Sequence, residues 1–150
     1  MSLKLKTQKR QAETLFSDGH SISGHFFISP LSRDLPGSGN VFELLNDDRS
    51  YIPFEIAKGE ISLLQKDSIM MVRMAISEMP KDLPYLSRIS TKIFLLSGDT
   101  IEGHIYTDLP KTHTRLSDFL NFSQKFIFIE VDEQDIFINT KFIKMVRPGL

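Results

Sequence analysis

The sequence predicts an all-β protein made of two small five-stranded barrels in tandem, packed as a pseudo-twofold pair. Three observations carry this reading. The 150-residue chain matches itself at an offset that drifts from 79 to 74 residues. Its apolar residues alternate with a period of two, not the 3.6 of a helix. Glycines stand both at hairpin turns and inside strands, where sharply bent strands need them.

The self-match has firm anchors. Gly19-His20-Ser21-Ile22-Ser23-Gly24-His25 matches Gly98-Asp99-Thr100-Ile101-Glu102-Gly103-His104. Leu45-Asn46 matches Leu120-Asn121, and Tyr51-Ile52-Pro53-Phe54-Glu55-Ile56 falls on Phe126-Ile127-Phe128-Ile129-Glu130-Val131. Ile69-Met70-Met71-Val72-Arg73 matches Ile143-Lys144-Met145-Val146-Arg147. Small differences in loop length account for the drift. The chain therefore divides into a basic arm at 1–13, a first unit at 14–73, a connector at 74–91 and a second unit at 92–147.

Taken in order, the arm carries Lys4, Lys6, Lys9 and Arg10 with no acid in the first ten residues, and reads as a solvated terminus. Asp18-Gly19 and Ser97-Gly98-Asp99 are hairpin signals. Ile22, Gly24, Phe26 and Ile28 share one face of the next strand, as do Ile101, Gly103 and Ile105. An excursion follows. In the first unit it is the Gly/Pro-rich 34–40, then Val41 to Asn46. In the second, Leu116, Phe119 and Leu120 have the spacing of one helical turn, Ser117 or Asp118 is a cap, and Asn121 a stop. Ile52, Phe54 and Ile56 then alternate, as do Ile127, Ile129 and Val131. Ile61 and Leu63 are matched to Ile136 and Ile138. Asp132, Glu133 and Asp135 read as a solvated hairpin turn.

Composition narrows the function. Hydrophobic residues make up 41% and charged residues 25%, the balance of a globular chain. A net charge of −1 excludes an ordinary strongly basic nucleic-acid binder. With no cysteine, disulfides, zinc thiolates and cysteine catalysis are excluded. No signal peptide or membrane span is readable, so a cytoplasmic protein is expected. There is no nucleophile elbow, phosphate-cradling loop or histidine-pair zinc motif. No enzyme activity, cofactor or metal is therefore expected. His25 and His104 hold matched positions that a pseudo-twofold would bring together, but further ligands are lacking.

The motif order Ile101, Gly103, Asp118, Asn121 resembles that of the Sm-like family of small barrels, and Ile22, Gly24, Glu43, Asn46 repeats it with Glu for Asp. Asn139-Thr140-Lys141 and Gln65-Lys66-Asp67 occupy the place of the family's second motif, without its Arg-Gly pair. Arg115 to Asn121 also resembles a segment of bacterial proteins of this general shape. The resemblance implies an Sm-like or SH3-like barrel in each unit, and single-stranded RNA as one partner. The RNA site it implies comprises Arg115, Asp118, Asn121 and Lys141. Against a broad phosphate-attracting field, the second unit has 7 basic residues to 8 acids and the first has 5 to 8.

The reading favoured over RNA is protein interaction or self-association. Small open barrels leave strand edges whose backbone groups can add a partner strand. Tyr51, Pro53 and Phe128 are the edge candidates, because Pro53 cannot donate a ladder hydrogen bond while its match Phe128 can. Neither DNA nor a membrane is expected as a partner. A small-ligand or signalling sensor is a further alternative.

Overall fold

The computed structural model describes residues 7–29, 39–108, 113–121 (side chains from 116 onward) and 125–149. The protein is all-β: the described residues form ten antiparallel strands in one sheet and two short helices. The first half contributes β1 (Gln8–Phe16), β2 (Ser21–Ile28), α1 (Val41–Asn46), β3 (Tyr51–Ala57), β4 (Glu60–Gln65) and β5 (Ile69–Met74). The second contributes β6 (Ser87–Leu95), β7 (Thr100–Thr107), α2 (His113–Asn121), β8 (Phe126–Val131), β9 (Gln134–Asn139) and β10 (Ile143–Pro148).

Each strand arises from the expected local chemistry. The β1–β2 and β6–β7 hairpins turn on Gly19 and Gly98, at φ 93° and 97°. The β8–β9 turn instead places Asp132 and Glu133 at φ 49° and 68°. Gly24 lies where a Cβ would collide with the Glu55 carbonyl, and Gly103 where it would collide with that of Glu130. There β2 meets β3 only at His25–Glu55 and Phe26–Phe54, and β7 meets β8 only at His104–Glu130. The Asn40 side chain caps α1 by accepting from the Glu43 N–H at 2.9 Å.

The sheet runs β10-β6-β7-β8-β9-β5-β1-β2-β3-β4. Each half thus has the same internal strand order, and β5 joins β9 between them with Met71 opposite Ile138, Val72 opposite Phe137 and Arg73 opposite Ile136. This is one continuous sheet, not a closed barrel. It also corrects the pseudo-twofold. A twofold would pair a strand with its own counterpart, but the counterpart of β5 is β10, and β9 is the counterpart of β4. The halves are joined head to tail.

Other expectations shift. Residues 8–13 belong to β1, paired with β2 throughout and with β5 from Ala12 onward, so part of the basic arm lies in the sheet; Lys4 and Lys6 lie outside the described residues. Likewise β6 begins within the connector, at Ser87. Ser117 and Asp118 lie inside α2, which begins at His113, so neither caps it. Ile61 and Leu63 are not the inward mates of Ile136 and Ile138. A bulge between Glu55 and Ala57 absorbs one residue of β3, so Leu64 takes the buried position and Ile61 and Leu63 face out. A one-residue slip exchanges the faces of a strand.

Two cores underlie the sheet. Phe26, Leu44, Ile52, Phe54 and Val72 of the first half share one with Phe126, Phe128 and Phe137 of the second. Ile93, Leu95, Ile105, Leu116, Ile129, Ile136 and Ile138 form the other, joined by Met70 of the first half. Each core therefore contains residues from across the junction.

Candidate functional site

The β5–β9 junction defines what a strand margin of this protein can hold. Backbone pairing joins the strands, and side chains reinforce it. Phe137 lies 5.2 Å from Phe42 of α1 between ring centroids, and 6.0 Å from Phe128, which stacks on Tyr106. Asn46, the last residue of α1, clamps the peptide groups of Phe126. Its Oδ1 accepts the Phe126 N–H at 2.8 Å and its Nδ2 donates to the Phe126 carbonyl at 3.3 Å. The same Nδ2 donates to the Phe42 carbonyl one turn back, at 3.0 Å. Asn139, buried at the end of β9, donates to the Ile69 carbonyl at 3.0 Å.

A polar clasp lies over this junction. Asp135, at 0% exposure, accepts from Ser77 Oγ at 2.9 Å, from the N–H groups of Glu78 and Met79 at 2.6 and 3.0 Å, and from Lys81 Nζ at 2.8 Å. Arg10 of β1 reaches Glu78 at 3.1 Å. Burial disfavours the charge on Lys81, yet its bonds to Asp135 and Glu130 outweigh this and raise its pKa. Burial alone dominates at Glu78 and pushes its carboxyl up. The clasp ties the connector to β1 on one side of the junction and β9 on the other. Asp135 is therefore no solvated turn residue, unlike the exposed Asp132 and Glu133.

The outer margins carry the counterparts of the junction strands. At β4, Leu63 is 67% exposed and Ile61 49%; beside it on β3, Tyr51 is 55% exposed. At β10, Met145 is 46% exposed. Next to β10 runs an open groove of about 580 Å³ lined in part by Leu116, Leu120, Asn121, Thr140, Ile143 and Val146.

Tyr51 and Pro53 are on β3, one strand in from the margin, because the tight hairpin folds β4 outside them. No β2 residue faces Pro53, which suits its missing N–H. Phe128 is not at a margin: it is buried in the junction beneath the Lys81 ammonium, 5.9 Å from its ring centre. Asn121 donates to the Ser117 carbonyl at 2.9 Å and to its hydroxyl at 3.2 Å. Lys141 lies over the Phe142 ring at 5.5 Å and is exposed. Asn121 shares its groove with Thr140 and Lys144, whereas Asp118 and Lys141 do not line it. The Arg115 side chain lies outside the described residues.

The two matched histidines do not form a pair. His25 is opposite Glu55, which bonds Lys9 at 2.9 Å; His104 is opposite Glu130 and lies 3.2 Å from Arg88. Among the described residues no cluster of three or more metal-ligating side chains occurs, and no helix is long and apolar enough to cross a membrane. Comparison with models of known protein families, with curated proteins and with solved structures found no match to this chain.

Sequence reasoning missed Asn46 as a junction residue and Asp135 as a buried anchor. The signal for Asn46 was available, since its match to Asn121 set it apart from a simple helix stop. Asp135 had none, because its partners come from a connector with no counterpart elsewhere in the chain.

Proposed function

We propose that this chain is a non-enzymatic assembly module built from two Sm-like units, and that it works by adding protein strands at β4 and β10. One observation carries the reading. The chain already joins a β4-type strand to a β5-type strand internally, at β9 and β5, and among the described residues it leaves the outer side of one strand of each type, β4 and β10, without a strand partner. Unpaired backbone donors and acceptors at a margin template strand addition. The exposed Ile61, Leu63, Tyr51 and Met145 flank those margins, so pairing there removes apolar surface from water as well.

Single-stranded RNA is the competing partner, and one measurement separates the two. Light scattering on the purified protein, read with its 260/280 absorbance ratio, is expected to give a defined multimer free of nucleic acid. Strand pairing and apolar contact depend little on salt, whereas phosphate binding weakens steeply as salt rises. A monomer that co-purifies with nucleic acid and releases it in high salt overturns the proposal in favour of RNA.

A further inference from the structure

We infer that the partner at these margins is a second copy of this chain, and that the groove beside Asn121 is the socket that receives Tyr51, Leu63 and Gln65 of that copy. The inference rests on the assembly reading above and specifies its partner.

The internal junction supplies the geometry. Within it, Asn46 clamps the peptide of Phe126. The matching positions, 75 residues along for Asn46 and 75 back for Phe126, are Asn121 and Tyr51. Asn121 is already posed for this task. Its Nδ2 bonds the carbonyl four residues back at 2.9 Å, as the Asn46 Nδ2 does at 3.0 Å. Asn139 donates to Ile69 across the junction. Shifted by 74 residues, the same contact links Gln65 to Ile143. Phe137 pairs with Val72 and shares the first core with Val72, Val41 and Leu45. The counterparts of Val41, Leu45 and Val72, which are Leu116, Leu120 and Val146, line the groove, and the counterpart of Phe137 is the exposed Leu63.

The strand register follows from the same shift. Met71–Ile138, Val72–Phe137 and Arg73–Ile136 become Met145–Leu64, Val146–Leu63 and Arg147–Ser62 between copies. The external joint is lighter than the internal one. Tyr51, Pro53, Leu63 and Ser117 stand where the junction has Phe126, Phe128, Phe137 and Phe42. Less aromatic surface is buried, so association is reversible and dependent on concentration, while the internal joint is permanent.

The test uses the full chain, which has no cysteine of its own. A variant carrying both Ser62→Cys and Arg147→Cys is expected to form disulfide-linked multimers on mild oxidation, because residues opposite one another in antiparallel strands are within disulfide reach. Each single-cysteine variant is expected to stay largely uncrosslinked. In sedimentation, Asn121→Ala and Leu63→Asp are each expected to weaken association by about tenfold or more, with circular dichroism unchanged. Leu63 is outside both cores, so Leu63→Asp carries the result if Asn121→Ala disturbs its helix. A wild-type multimer that neither substitution weakens, and whose cysteine pair does not crosslink, overturns the socket and leaves strand assembly standing. A wild type that stays monomeric at the concentrations used for crosslinking overturns both.

Discussion

The Lys66 side chain is 1% exposed, and its ammonium is held by Asp47 through an ion pair and a bond to the Asp47 carbonyl at 3.0 Å. Burial opposes the charge on Asp47, but hydrogen bonds from Lys66 and from the backbone and side chain of Arg49 outweigh it and hold the carboxyl below its usual range. A carboxyl with a lowered folded pKa contributes stability above its unfolded pKa, and that stability is lost as pH falls through the folded value. Urea unfolding is therefore expected to show a fall in stability below about pH 4, and Asp47→Asn should flatten that part of the profile. At pH 7 the same substitution leaves Lys66 buried without its counter-charge, at a cost of about 3 kcal/mol. An unchanged urea midpoint for Asp47→Asn at pH 7 would show that the pair contributes nothing. The second half has Thr140 where the first has Lys66, so no repeated pattern marks this pair in the sequence. Gly24 and Gly103 were legible because they repeat; Asn46 repeats as Asn121, which marked the position but not its bond across the junction.

Strands and turns were the more legible level, since period-two alternation and turn glycines are local signals. Gly24 and Gly103 illustrate how far such signals reach. The sequence placed them inside bent strands, and each allows its strand to lie against a carbonyl of the next, Glu55 or Glu130. Gly103→Ala is expected to destabilise by about 2–3 kcal/mol, because the obstructing atom is backbone and cannot rotate away. Gly24→Ala should cost a similar amount, and thermal melts of the two variants check both. A melting temperature equal to wild type would show that the strands separate there without penalty. The edge assignment was less legible. A proline marks a strand side without a ladder partner, but it does not say which strand lies outermost. Nor does alternation reveal a bulge, and the one near Ile56 turned Leu63 outward.

At the scale of the molecule, the doubled pattern was readable and the way its halves meet was not. Head-to-tail joining depends on β5 finding β9, a pairing between residues more than sixty apart that leaves no periodic trace. Because Phe126, Phe128 and Phe137 enter the first core, the halves are expected to unfold together. Phe137→Ala should remove about 3–5 kcal/mol while keeping one cooperative transition. Two separate transitions in calorimetry of the wild type would show instead that each half is independent. The large, fully buried Phe137 is the residue whose loss both halves would feel.

A sheet with β10 at one end and β4 at the other has polarity, like a plug and a socket on one cable. Damage to one end leaves its opposite intact. A copy blunted only at Leu63 would still accept a neighbour at β10 and then offer nothing onward. Mixed with intact chains it would act as a terminator, leaving a growing share of the multimers incomplete as its share rises.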